Sequence, residues 1–79
     1  MKTLADLAPG QVGTIAAIAG TDALTLRLME LGILEGEQVR VVGKAPLGDP
    51  IEIALRGSKL SLRRVEAARV KLDLPDSSP

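Results

Sequence analysis

Among the 79 residues there is no cysteine and no histidine. The chain therefore lacks a thiol nucleophile, a serine–histidine pair and any soft or borderline ligand for a transition metal. What remains for chemistry is hydroxyls and carboxylates. Ser58 and Ser61 lie in or beside a turn with no base to activate them. Glu30, Glu35 and Glu37 cluster around the end of a helical stretch, and Asp49 and Glu52 flank the start of an extended one. Paired carboxylates could serve acid–base work or hold a hard cation, but their spacing matches neither a calcium loop nor a glycosidase pair. Gly43-Lys44 lacks the upstream glycine of a phosphate loop, and Ala45 stands where a hydroxyl is required. The expectation is a protein that is not an enzyme, with no catalytic residue, no metal ligand and no cofactor.

Binding must then rest on shape, apolar surface and charge. With no phenylalanine, tyrosine or tryptophan, the chain has no ring to stack on a base and no aromatic anchor for a bilayer. Ten basic residues balance ten acidic ones, so bulk attraction to nucleic acid or membrane is absent and no nucleic-acid partner is expected. The local distribution is less even: Arg56, Lys59, Arg63, Arg64, Arg69 and Lys71 follow one another with Glu66 opposing them. A solvated basic edge that blunts an exposed strand explains this segment without a partner. A contact for acidic protein or anionic headgroups is the functional alternative.

The elements that must position these groups are short. At this length a single domain is expected, over residues 1–74, with 75–79 (Pro75-Asp76-Ser77-Ser78-Pro79) a loose tail that has nothing to bury. The 46% apolar content must supply the core without disulfide or zinc. Leu4 to Leu7 ends at Pro9-Gly10, a turn feeding a strand over Gln11 to Ile18 in which Gly13 and the broken alternation suggest a bulge or a strand apolar on both faces. Thr21 and Asp22 can cap a helix over about residues 22–31, and Gly32 can stop it. Leu24, Leu28 and Leu31 share one helical face, expected in the core; Leu26 and Met29 form a second ridge, expected under another segment or, failing that, at a partner. Period two then returns in Val39 and Val41, in Ile51, Ile53 and Leu55, and in Leu60 and Leu62, with Gly57-Ser58 as a tight hairpin turn. A helical turn at 64–67 precedes a last strand from Ala68 to Leu72. Five short strands and one inserted helix predict a mainly β, small barrel.

Three linked stretches carry a resemblance over nearly the whole chain. They are Arg27-Leu28-Met29-Glu30-Leu31-Gly32-Ile33-Leu34-Glu35-Gly36, then Ala45-Pro46-Leu47-Gly48-Asp49-Pro50-Ile51, then Leu60-Ser61-Leu62-Arg63-Arg64-Val65-Glu66-Ala67. Together they resemble the FeoA family, ferrous iron transport protein A. The resemblance implies an SH3-like barrel that stays in the cytoplasm, peripheral to the inner face of the membrane through its partner. That implied partner is the FeoB ferrous iron permease, a membrane protein with a cytoplasmic GTPase domain. Such domains also close iron-dependent repressors, where they make contacts within the protein. The alternatives are an oligomeric or adaptor module, in which the spare apolar ridge makes a homodimer, and a weak nucleic-acid-binding barrel, because small barrels of this shape often bind RNA or DNA and the Arg56 to Lys71 segment is basic. Carboxylate and carbonyl oxygens alone would hold ferrous iron weakly, which leaves protein contact as the expected role.

For that contact the candidates are Leu26, Leu28 and Met29 on the helix, Leu47 and Asp49 in the proline-bounded loop, and Arg63 and Arg64 on the basic segment. Proline fixes the loop and lowers the entropy lost on binding. Gly10, Gly32, Gly36, Pro46, Gly48, Pro50 and Gly57 are expected to shape turns.

Overall fold

The computed structural model describes residues 2–74; the tail expected at 75–79 lies outside them. Six strands form one antiparallel sheet: β1 (Lys2–Thr3), β2 (Val12–Ile18), β3 (Gln38–Lys44), β4 (Ile51–Leu55), β5 (Ser58–Leu62) and β6 (Val70–Asp73), in the order β1-β6-β2-β3-β4-β5. Helix α1 (Ala23–Glu30) is inserted between β2 and β3, and the single turn α2 (Arg64–Ala67) joins β5 to β6. The fold is mainly β, as the periodicity predicts, with six strands in place of five. The additional strand, β1, is two residues pairing Lys2 with Leu72 and Thr3 with Lys71, too short to leave a period in the sequence. A 3-10 turn over Leu4–Asp6 follows it.

The core lies inside the curved sheet and is entirely aliphatic. Leu4, Leu7, Ile15, Leu28, Ile33, Val39, Val41, Ile51, Ile53, Leu62 and Leu72 are all fully buried or nearly so. Alternation in β3 and β4 places Val39, Val41, Ile51, Ile53 and Leu55 inward and their neighbours outward. The bulge expected in β2 is present, between Ile15 and Ala17 against β6 and not at Gly13. Gly13 serves packing: a Cβ there would meet the Leu72 and Leu74 side chains at 3.1 Å.

Helix α1 starts at Asp22, whose carboxylate accepts from the Thr25 N–H at 3.3 Å, and ends in a Schellman turn. Gly32 N–H donates to the Met29 carbonyl at 2.9 Å, and Ile33 N–H to the Leu28 carbonyl at 3.1 Å. Gly32, with φ of 95°, occupies the left-handed position this turn requires. The reversal drops Ile33 beside Leu28 in the core, so two expectations change. Leu31, expected inside, is 39% exposed at the helix end, and the Leu26 and Met29 ridge lies under no segment.

The β4–β5 connection also shifts by one residue. Leu55 pairs with Ser58, so the two-residue turn is Arg56-Gly57 and not Gly57-Ser58. Both residues have positive φ, 53° and 82°, as a type I′ turn demands.

Candidate partner-binding surface

Three segments that carry exposed apolar side chains are joined by polar contacts. On α1, Leu26 is 60% and Met29 45% exposed; Val65 on α2 is 67% exposed; Leu47, at the tip of the 45–50 loop, is 91% exposed. Arg27 of α1 approaches Glu66 of α2 at 3.5 Å. Glu66 is buried and accepts from the Arg63 N–H at 2.7 Å, which fixes the start of α2. The 45–50 loop reaches the same helix from the other direction, with the Asp49 carboxylate accepting from the Arg64 N–H at 3.0 Å. The loop is closed on itself by bonds from Ala45 N–H to the Pro50 carbonyl (3.1 Å) and Gly48 N–H to the Ala45 carbonyl (2.7 Å). It thus presents Leu47 from a braced frame, and less order is left to impose when a partner binds.

A second set of contacts holds α1 at its other end. Arg69 pairs with both oxygens of Asp22, at 2.9 and 3.0 Å, and its guanidinium also donates to the Ala19 carbonyl at 3.3 Å. This Arg69 pairing, together with the bond from Thr25 N–H, holds the Asp22 carboxyl well below the usual carboxylate range. The Thr25 hydroxyl donates to the Ala19 carbonyl at 3.3 Å, and the side chain is buried on the helix's inner face.

The candidate residues separate on these facts. Leu26, Met29 and Leu47 are available to a partner, whereas Leu28 is fully buried and belongs to the core. Asp49 is committed to the α2 start. Arg63 and Arg64 are exposed beside the loop, and among the described residues no carboxylate lies within ion-pair distance of either. The expected basic edge is divided by pairing and by strand. Arg69 is tied to Asp22, Arg56 approaches Glu37 at 3.7 Å, Lys59 lies on β5, and Lys71 lies on β6 across β2, β3 and β4 in the sheet order. Val65, Leu31 and Leu34 were missed as exposed apolar positions. With Glu66 and Ala67 buried, helical phase turns Val65 outward, and the single turn at 64–67 carried that information. Gly10, Gly32, Gly36, Gly48 and Gly57 all have positive φ. Among the described residues no group of three or more carboxylates is placed to hold a metal ion, and no helix is long and apolar enough to cross a membrane.

Comparison with known proteins places these features in context. Residues 2–74 match the FeoA domain family. A fusion of Fe(2+) transport protein A with the Fe(2+) transporter FeoB, from Porphyromonas gingivalis, is 32% identical over 75 residues. That is 95% of this chain but 9% of the relative, so the chain spans a small part of that curated protein's length. A FeoA-like protein from Clostridium acetobutylicum superposes with a TM-score of 0.87 at 29% identity, covering 100% of this chain and 95% of that one. Stenotrophomonas maltophilia FeoA, a zinc complex described as a procaryotic SH3 domain protein, gives a TM-score of 0.81 at 34% identity over 92% and 91% of the two chains.

Proposed function

The chain belongs to the FeoA family, and from that membership we propose that it is an accessory of ferrous iron transport, acting without catalysis by protein contact on a FeoB-type permease at the cytoplasmic face of the membrane. One observation carries the choice of partner: in the Porphyromonas gingivalis relative, the region similar to this chain and a FeoB transporter form one polypeptide. Fusion supplies a high effective concentration for two parts that work against each other. The surface supports contact as the mode of action, because it offers exposed leucine and methionine on braced segments.

On this reading Leu26, Met29 and Leu47 supply the apolar contact, with Val65 between them in the network of α1, α2 and loop. Arg63 and Arg64 provide a cationic rim that steers encounter more than it adds affinity. Regulation of the permease requires that the chain bind one of its states better than another. The test is the affinity of the full chain, labelled at one end, for purified full-length FeoB-type permease with and without guanine nucleotide. Saturable binding whose strength depends on nucleotide is expected. Absence of binding in every nucleotide state rejects the proposal.

A further inference from the structure

The outer face of the sheet carries a feature the helix side does not explain. Strand register sets Val12 beside Arg40, Arg40 beside Ala54, and Ala54 beside Lys59, so one row crosses β2, β3, β4 and β5. Val39 and Val41 point into the core, which turns Arg40 outward, and Ile53 and Leu55 do the same for Ala54. Adjacent strands lie about 4.8 Å apart, so the two cations rise roughly 10 Å from each other with a single methyl group between them. Opposite charges are what usually stabilise neighbouring positions on an exposed sheet face. Among the described residues, however, neither Arg40 nor Lys59 has a carboxylate within 4.0 Å.

Two shallow clefts meet over this row. One, about 260 Å³, runs past Val12 and Arg56; the other, about 340 Å³, runs past Val42 and Lys59; both are lined by Arg40 and Ala54. The other charges on the face are Glu52, two residues from Ala54 on β4; Arg56, which is engaged with Glu37; and Lys71 and Asp73 on β6, where Asp73 lies opposite Thr14, two residues along β2 from Val12.

Resting on the permease reading above, we infer that the Arg40-Ala54-Lys59 row is an anion-binding cleft that receives an acidic side chain from the protein partner, with an adjoining apolar residue seated toward Val12 or Val42. A carboxylate above Ala54 would reach the guanidinium on one side and the ammonium on the other, and both bonds would be charge-assisted. Two uncommitted cations are too few for a nucleic acid, whose affinity grows with each phosphate neutralised, or for a membrane surface, which calls for a cluster of about 4 to 8. Val12 at one end of the row and Val42 two residues from Arg40 on β3 suit the apolar part of a peptide segment. This surface is separate from the α1, α2 and loop contacts and would give the partner a second, polar point of attachment.

The experiment follows backbone amide shifts of the labelled full chain as a short peptide with two glutamates flanking a leucine is added at low salt. Shifts centred on Val12, Arg40, Ala54 and Lys59 are expected. Affinity should be about fivefold weaker for the glutamine analogue and for the Arg40→Ser, Lys59→Ser double variant, whose melting temperature should match the parent. Equal response to the analogue, or a response of the row to inorganic phosphate or phosphatidylglycerol vesicles but not to the peptide, overturns the assignment. The permease separates the two readings. If it binds the parent and the double variant equally, the cleft assignment falls and the accessory function stands. If it fails to bind the parent, the function itself falls.

Discussion

The sharpest test of the helix assignment sets Leu28 against Leu26, two residues apart on α1 with opposite surroundings. Leu28 is fully buried against Ile33, whereas Leu26 is 60% exposed. Truncating a buried leucine to alanine costs about 2 to 5 kcal/mol. A chain of 79 residues has roughly 4 to 12 kcal/mol of total stability, so Leu28→Ala should lower the melting temperature by about 10 to 30 °C. Leu26→Ser removes no residue of the core cluster and should change stability by no more than about 1 kcal/mol, the worth of the part of Leu26 already covered. Its effect should fall on the partner. Full burial of a leucine side chain is worth about 1.5 to 3 kcal/mol, and the fraction of Leu26 still exposed leaves about 1 to 2 kcal/mol to be gained on docking. The dissociation constant for the permease should therefore rise about 5- to 30-fold. Far-ultraviolet circular dichroism gives the melting temperatures, and the labelled-chain titration gives the affinities. A Leu26→Ser variant that melts early, or one that binds like the parent, refutes the division of α1 into a core face and a docking face.

Other outcomes follow from single contacts. Leu47→Ser should weaken permease binding with the melting temperature unchanged, since its side chain touches mainly solvent; parallel loss of stability would make the loop tip part of the fold. Arg56→Asn should stabilise by about 0.5 to 1 kcal/mol in chemical denaturation, because asparagine tolerates the positive φ that arginine holds at some cost; a drop in stability would show that the contact with Glu37 matters more. The Asp22 carboxyl titrates below its ordinary value of 3.8 in the folded chain, so it stabilises the fold above that value, and the contribution is lost as pH falls below it. Asp22→Asn should accordingly flatten the acid side of the stability-against-pH curve, and an unchanged acid limb would contradict the Arg69 pairing. Gly32→Ala should cost about 1 kcal/mol through its left-handed φ, measurable by urea unfolding, because the space around it is open, with the nearest side-chain atom of Leu55 at 3.9 Å.

Much of the sheet was legible because period two is a local property. Val39 and Val41, and Ile51, Ile53 and Leu55, alternate with polar neighbours, and each pair of neighbours alone states which side faces the core. Helix phase was harder for a physical reason. Counting Thr25 as polar rotates the apolar stripe toward Leu31, but the Thr25 hydroxyl is satisfied by the Ala19 carbonyl and can be buried. The inner face then centres on Thr25 and Leu28, and the Schellman turn substitutes Ile33 for Leu31. In the candidate surface, the exposed ridge of Leu26 and Met29 was visible as a pattern, though not its exposure. The commitment of Asp49 was not visible, because its partner is 15 residues away and nothing local marks a carboxylate that caps a distant turn. The hairpin was placed one residue late because arginine is an unusual occupant of the left-handed region.

The short pairing of β1 with β6 has a bearing on how the domain can be tethered. Lys2 lies opposite Leu72, so chain entering at β1 and chain leaving β6 pass through the same point on the surface. Arg69, at the opposite end of β6, grips Asp22 at the head of α1. Four residues of strand, about 13 Å, therefore stand between the attachment point and the helix. On the proposed reading, a domain tethered at that point and a free-standing copy would both keep the α1 face open to the same partner.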